Sequence, residues 1–158
     1  MQKITPFLWF DNKAEEAANF YAATFPNSKI THVMRYGEGA PLPAGTVLTI
    51  TVSINGLDFV CLNGGPHYTF SPATSFMAPC DTQAEVDHLW DALSAGGEVM
   101  QCGWLTDKFG VTWQITPHAL LTMMSDKDSA KVKRVTAAMM QMKKLDLPAL
   151  TKAFEGRA

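Results

Sequence analysis

The sequence predicts an α+β fold of two strand-helix-strand-strand-strand units followed by a helical tail. Three observations support this prediction. The N-terminal pattern of strand and helix restarts seventy residues later, and the segment from Cys102 to Pro117 has the pattern of a β-hairpin. Beyond Pro117 the amino-acid composition favours helices. We therefore divide the chain into paired βαβββ modules over residues 1–117, of about 1–65 and 73–117, and a C-terminal helical extension over residues 118–158.

The first unit is predicted from its apolar periodicity. A helix over about Lys13 to Phe25 follows a strand over Ile4 to Phe10, because alanines and aromatic residues recur at three- and four-residue spacing and Pro26 ends the pattern. A tight Asn55-Gly56 turn joins the last two strands. The strands after the helix are predicted at Lys29–Tyr36, Val47–Ile54 and Leu57–Leu62.

The second unit is predicted from an internal repeat. The segment FDNKAE, which begins at Phe10, aligns with CDTQAE, which begins at Cys80, and the matches fall at the helix cap and on its buried face. The unit therefore spans roughly Ala73 to Pro117, and its closing hairpin turns at Asp107 to Gly110. Beyond this turn, Val111, Trp113 and Ile115 face one way while Thr112, Gln114 and Thr116 face the other.

Composition excludes several classes of protein. Charged residues make up 18 % and apolar residues 47 %, which favours a globular chain over a disordered one. No apolar run approaches the length of a membrane helix, and no signal-peptide layout opens the sequence. The net charge of −2, with no basic cluster larger than Lys143-Lys144, disfavours nucleic acid as a partner. Three widely spaced cysteines indicate neither a disulfide framework nor a zinc knuckle, so we expect a reduced, cytoplasmic setting.

The closing hairpin, CGWLTDKFGVTWQITP, carries a family resemblance. A strand, a D-x-x-G turn and a polar side chain four residues past the glycine resemble the closing hairpin of the vicinal oxygen chelate (glyoxalase and bleomycin-resistance) superfamily. The amino-acid sequence of this hairpin is most similar to the PhnB-like branch of the superfamily, often labelled 3-demethylubiquinone-9 3-methyltransferase. The resemblance implies that the modules form a curved eight-stranded mixed sheet around one cavity, and that two chains pair as a homodimer.

Metal-using members of that superfamily bind an ion with His and Glu at four positions. The resemblance implies that Thr5 and Gln114 occupy two of them, the seventy-residue offset adds Ser75, and the fourth is Cys61, or Val60 if the register slips by one. Hydroxyls, an amide and one thiol are poor ligands for Zn²⁺, Ni²⁺ or Fe²⁺ and lack the anionic charge that Mg²⁺ needs. We therefore expect no metal and no other cofactor, with the cavity retained.

The cavity is predicted to have an apolar, aromatic wall with a few hydrogen-bonding points, which is typical of a small-molecule site. If Leu8 and Phe10 pack under the helix, the intervening residues face inward. The predicted ligand-binding residues are Thr5, Phe7, Trp9, Phe59, Cys61, Asn63, Ser75, Met77, Trp104 and Gln114. The alternative is that these residues simply fill a small barrel with no ligand.

Catalytic candidates are few. His67 lies in a Gly- and Pro-rich loop that we expect to cover the cavity mouth, and it is the best acid-base candidate by its ordinary pKa. Cys61 is a possible nucleophile, but no histidine or lysine can be placed beside it, which favours inert packing. Beyond the modules, a Met-rich stripe over Ser129 to Lys144 packs on its own chain or on a second copy, and the sequence leaves both open.

Three functions remain open at this stage. The first is metal-independent binding of a small, partly aromatic or amphipathic molecule, with or without a reaction. The second is a metal-dependent lyase, dioxygenase or transferase, which needs carboxylate or imidazole at the four positions and would be revived by a cavity that brings His67 together with Glu38, Glu98 or Asp58. The third is a non-catalytic sequestering protein of the resistance type. A methyltransferase is disfavoured, because no Gly-rich loop lies between a predicted parallel strand and a helix.

Overall fold

The two halves of the chain repeat one topology. The computed structural model describes residues 4–157 and contains two units, Met1–Phe70 and Ser71–Ala158. The first unit consists of β1 (Phe7–Phe10), α1 (Ala14–Thr24), β2 (Lys29–Arg35), β3 (Val47–Ile54) and β4 (Leu57–Asn63). These strands form one sheet in the order β1-β4-β3-β2, in which β1 and β4 are parallel and the other neighbours antiparallel.

The second unit has the same order of elements. It consists of β5 (Ser75–Cys80), α2 (Gln83–Ser94), β6 (Glu98–Val99), β7 (Trp104–Thr106) and β8 (Thr112–Pro117). Its sheet has the order β5-β8-β7-β6, and again only the first pair is parallel. The structure therefore confirms the two predicted βαβββ modules, while a single cavity shared by both sheets stays a prediction.

The first unit buries one face of its sheet against α1. Leu8 and Phe10 are buried as predicted, together with Ile50 and Val52 of β3. However, β1 begins only at Phe7, later than predicted, because Pro6 has no N–H to add to the ladder and contributes only its carbonyl oxygen, which accepts from Val60 N at 2.9 Å. The predicted strand therefore loses its first residues, and Thr5 precedes it.

The turn between β7 and β8 is organised around one buried carboxylate. Asp107 is 2 % exposed, and its Oδ1 accepts hydrogen bonds from the backbone N–H groups of Phe109 (2.9 Å) and Val111 (3.0 Å). Its Oδ2 accepts from the indole Nε1 of Trp113 at 2.9 Å. The predicted Asp-to-Gly turn is confirmed, since Gly110 N donates to Asp107 O and Gly110 has a φ of 88°.

The C-terminal extension packs on its own unit, which answers the question that the sequence left open. It contains α3 (His118–Met124), α4 (Ser129–Met140) and α5 (Leu147–Glu155). Leu120, Val135, Leu145 and Leu150 form its buried core, and Met139 and Met142 of the predicted stripe pack against them. Gln83 of α2 holds the extension through two hydrogen bonds, from its Nε2 to Leu145 O and from Leu147 N to its Oε1. No helix among residues 4–157 is long and apolar enough to cross a membrane.

Candidate functional site

One face of the second sheet gathers four of the predicted ligand-binding residues. Side chains of directly paired strand residues lie on the same face, and the registers pair Met77 with Gln114 and Gln114 with Trp104. Ser75 is two residues before Met77 and therefore shares this face. The opposite face carries the buried Leu105, Trp113 and Ile115 of the core. The polar alternation predicted for β8 is therefore confirmed, and we call the face with Gln114 the amide face.

The amide face has a defined hydrogen-bonding centre. Gln114 Nε2 donates to Ser75 Oγ at 2.9 Å, and both side chains are half-buried. This bond leaves the Gln114 Oε1 acceptor, the second hydrogen of Gln114 Nε2 and the Ser75 hydroxyl hydrogen without partners in the described part of the chain. Met77, 46 % exposed, and the half-buried Trp104 flank the amide on its two neighbouring strands. A polar centre thus lies between two apolar side chains.

The same face carries a second hydroxyl, that of Thr112, which was not among the ligand-binding residues predicted from the sequence. Thr112 is paired with Ser75 and is 1 % exposed, and its Oγ1 has no hydrogen-bond partner among residues 4–157. Leaving a buried hydroxyl unpaired costs about 1–3 kcal/mol, so such an atom needs an explanation. The alternation that placed Thr112 beside Gln114 was the sequence signal that could have found it.

The first-module candidates divide between two faces. Phe7 pairs with Val60 and Trp9 with Leu62, whereas Cys61 pairs with Leu8 on the face packed against α1. Phe59, two residues before Cys61, is on that covered face as well, and the two are 3 % and 0 % exposed. Their predicted place in a wall beside Phe7 and Trp9 was therefore wrong, because the register of β4 is shifted by one residue.

The same register gives the counterpart of Gln114 in the first module. Phe7 corresponds to Met77 by the seventy-residue repeat, and their partners are Val60 and Gln114, respectively. The choice that the sequence left open between Val60 and Cys61 is therefore decided in favour of Val60. Its isopropyl group offers neither a hydrogen bond nor a metal ligand.

Asn63 serves the fold of the first module. Its Oδ1 accepts from the N–H of Ala14 at 2.9 Å, and its Nδ2 donates to Val47 O at 3.1 Å. Lys13, at the N-cap of α1, makes no side-chain capping bond, so the amide of Asn63 supplies one from a neighbouring strand. Both ends of this amide are therefore engaged, and its predicted ligand contact is replaced by a capping role.

The loop after β4 folds back over Trp9. Trp9 Nε1 donates to Gly65 O at 2.8 Å, and its indole meets the ring of Tyr68 edge-on with centroids 5.1 Å apart. Phe70 makes a similar contact with Phe10 at 5.2 Å. His67 is exposed, and it belongs to no group of three or more His, Cys, Asp or Glu side chains among residues 4–157 that could hold a metal ion. The loop is thus placed on β1 by aromatic contacts, while its role as a cover stays a prediction.

The residues at the four expected metal positions do not fit a metal ion. They are Thr5 and Val60 in the first unit and Ser75 and Gln114 in the second. Gln114 uses its amide nitrogen on Ser75, and no member of the set is a carboxylate, imidazole or thiolate. Across residues 4–157 no group of three or more His, Cys, Asp or Glu side chains could hold a metal ion.

The two buried cysteines are poor nucleophiles. Burial raises the pKa of the Cys61 thiol to about 12. Burial also raises the pKa of the Cys80 thiol, to about 11, with a smaller contribution from the Glu85 and Asp81 carboxylates. Both thiols stay protonated at neutral pH, which supports inert packing.

This difference predicts selective alkylation. With iodoacetamide at pH 8, we expect the partly exposed Cys102 to react. Cys61 and Cys80 should react at least about a hundredfold more slowly, because burial blocks access of the reagent and lowers the fraction of each thiol that is ionised. Peptide mass spectrometry of the native and the urea-unfolded protein measures the three rates. Rapid native labelling of Cys61 would contradict its assignment to the covered face.

Comparisons with known proteins agree with this fold. A family model described as 3-demethylubiquinone-9 3-methyltransferase matches residues 2–116. A solved PhnB protein from Bacillus cereus, described under the same methyltransferase name, is 40% identical over 73% of this chain and 99% of its own, with a TM-score of 0.68. A search of curated proteins found no match.

More distant structures share the fold alone. A protein from Pseudomonas aeruginosa is 22% identical over 74% of this chain and 98% of its own, with a TM-score of 0.62. The fosfomycin resistance protein FosX from Mesorhizobium loti is 10% identical over 80% of this chain and 100% of its own, with a TM-score of 0.55. The PhnB-like resemblance drawn from the closing hairpin is confirmed by the family model and the Bacillus cereus relative.

Proposed function

We propose that this chain, which belongs to the PhnB-like family described as 3-demethylubiquinone-9 3-methyltransferase, binds a small, partly aromatic or amphipathic molecule on the amide face without a metal ion. The observation that carries the proposal is the arrangement of Gln114 between Met77 and Trp104, with its amide oriented by Ser75. Small-molecule sites have this character, with apolar surface around a few fixed polar groups.

The amide face is better suited to recognition than to acid-base chemistry. Its described strand residues on β5, β7 and β8 are hydroxyl, amide, thioether, indole and proline groups, and the carboxylate that the four strands add to this face, Glu98, lies on the edge strand β6. Hydrogen bonding and apolar contact are what such groups supply. We therefore favour a binding or sequestering protein over an enzyme that transfers protons with these side chains.

Two alternatives have less support. A metal-dependent lyase, dioxygenase or transferase would need anionic or imidazole ligands where the chain has Thr5, Val60, Ser75 and Gln114. A methyltransferase that binds its methyl donor in a doubly wound domain would need a Gly-rich turn between a parallel strand and a helix. Gly37 and Gly39 lie instead between the antiparallel strands β2 and β3. The family name therefore does not define the reaction.

The proposal includes a homodimer in a reducing cytoplasm. The support is the family membership for the dimer and, for the compartment, three free cysteines of which two are buried. Light scattering of the purified chain measures the stoichiometry, and a monomer at micromolar concentration would remove the dimer from the proposal.

A neutral amphipathic dye tests the binding function. We expect N-phenyl-1-naphthylamine to bind the full chain saturably at one site, with the same affinity in EDTA as with added Ni²⁺, Zn²⁺ or Mn²⁺. The substitution Met77→Asp should weaken binding about tenfold or more, because it places a charge in the apolar strip beside Gln114. Fluorescence titration measures the affinity.

Met140→Asp is the matched control, since Met140 is an exposed methionine, at 57 %, in the C-terminal extension of the same unit. It should leave the dye affinity unchanged. Equal loss in both variants, no saturable binding, or binding that requires an added metal would each overturn the proposal.

A further inference from the structure

The uncommitted hydrogen-bonding atoms of the amide face define a chemical class of ligand. We infer, resting on the proposed function, that the site takes an uncharged planar molecule carrying an amide-like group, a carbonyl next to an N–H donor, and discriminates against carboxylates and phosphonates.

The donor and acceptor pattern supports the carbonyl and the N–H. Gln114 has committed its Nε2 to Ser75, so Oε1 is the amide atom left to accept a ligand N–H. The Ser75 hydroxyl receives that bond and keeps its own hydrogen to donate to a ligand carbonyl. The Oε1 acceptor and the hydroxyl donor lie on adjacent side chains and complement an amide edge, and the second Nε2 hydrogen of Gln114 remains as a further donor.

The buried hydroxyl of Thr112 is independent support for a polar ligand group. It lies on the same face, paired with Ser75, and its Oγ1 has no protein partner in the described residues. At 1 % exposure it is also shielded from bulk solvent, so its desolvation is uncompensated. A ligand carbonyl beside Ser75 recovers this hydrogen bond only if it displaces the groups that cover Oγ1, so its contribution to binding is the new bond less the cost of that displacement.

The charge pattern supports neutrality. Ser75, Thr112 and Thr106 form one row across the sheet through their pairings, and the next residue in that row is Glu98 on the edge strand. Strands β5 to β8 place no Lys or Arg on this face, since their described residues include none. An anion would therefore be desolvated here without a cation and near a carboxylate, which is unfavourable.

The shape supports a planar molecule. Met77 and Trp104 lie on the two sides of Gln114, one strand spacing away in each direction. Strand neighbours are about 4.8 Å apart, so the two apolar groups are separated by about the width of a fused ring system. A flat aromatic body can contact both while its polar edge meets the amide.

The test uses a pair of probes that share one naphthalene ring and carry either a neutral carboxamide or a carboxylate, which has a negative charge and no N–H donor. Naphthalene-2-carboxamide and 2-naphthoate are titrated into the full chain at pH 7.5 by calorimetry. We expect the carboxamide to bind about tenfold or more tightly than the carboxylate, because an unpaired charge costs more to desolvate than an amide.

Two variants connect the preference to this site. Thr112→Val removes the unsatisfied hydroxyl without changing the side-chain shape. It should weaken binding of the carboxamide severalfold and raise the melting temperature of the free protein. Gln114→Lys should reverse the preference toward 2-naphthoate by supplying a cation. A purely structural role for Thr112 predicts no change in probe affinity.

The outcomes separate this inference from the proposed function. Equal affinity for the two probes, stronger binding of 2-naphthoate, or no binding of either while the neutral dye still binds overturns the amide-type ligand and leaves the proposed function standing. If the dye itself fails to bind, the proposed function fails and this inference fails with it.

Discussion

Replacing Asp107 by alanine is expected to lower the free energy of unfolding by about 4 kcal/mol. Two buried donors, the N–H of Val111 and the indole N–H of Trp113, lose their acceptor, and each such loss costs about 1–3 kcal/mol. The turn also loses the bond from Phe109 N, which orders the hairpin. For a chain of this size the melting temperature should fall by roughly 10 °C. Urea unfolding followed by tryptophan fluorescence and calorimetry measures both quantities.

Two further variants make this prediction specific. Asp126→Ala is the matched control, because Asp126 is exposed and its Oδ1 accepts a single backbone N–H, from Asp128. The Asp126→Ala substitution should lower the free energy of unfolding by less than about 1 kcal/mol. Asp107→Asn keeps an acceptor for the turn but presents an amide nitrogen to the indole or to the backbone, so it should be intermediate. Equal stability of the Asp126 and Asp107 alanine variants would show that the buried carboxylate does not hold the hairpin.

The carboxylate also links stability to the site. Asp107 positions the start of β8, and the alternation along β8 then determines which side chains reach the amide face. Because Trp113 is anchored to Asp107 on the core face, Thr112 and Gln114 are directed to the other. A loss of order in this turn is therefore expected to lower dye affinity as well as stability.

Much of the fold could be predicted because local signals and periodicity agreed. The apolar alternation and the Asp-to-Gly turn each specify structure over a few residues, and the repeat applied the same order of elements twice. The start of β1 could not be predicted to the residue. An apolar run does not show whether the residues up to Pro6 still pair with the neighbouring strand, and in the structure the strand begins after this proline.

The site was predicted less completely, for a physical reason. A one-residue shift in register moves every side chain of a strand to the other face, so Phe59 and Cys61 were assigned to the wrong side of β4. Asn63 was assigned to a ligand because its capping bond to Ala14 joins residues distant in sequence. By contrast, β8 follows a turn that fixes its register, and there Ser75 and Gln114 were brought together as the repeat predicted.

Replacing Gly64 by alanine is expected to displace the loop that folds over Trp9. A β-carbon at this position would overlap the indole, with Cδ2 only 2.5 Å away, so either the ring or the backbone must move. Movement breaks the bond from Trp9 Nε1 to Gly65 O and the edge-on contact with Tyr68. Such overpacking costs about 1–3 kcal/mol. We expect faster hydrogen exchange over residues 64–70 and a lower melting temperature.

Gly37→Ala is the matched control, because a β-carbon there meets no atom within 4 Å and its φ is not in the left-handed region. It should leave exchange and stability unchanged. The comparison also tests whether the loop affects ligand access. If the loop covers the site, Gly64→Ala should speed both association and dissociation of the neutral dye in stopped-flow measurements. Changed exchange over residues 64–70 with unchanged dye kinetics would assign the loop to the stability of the first module alone.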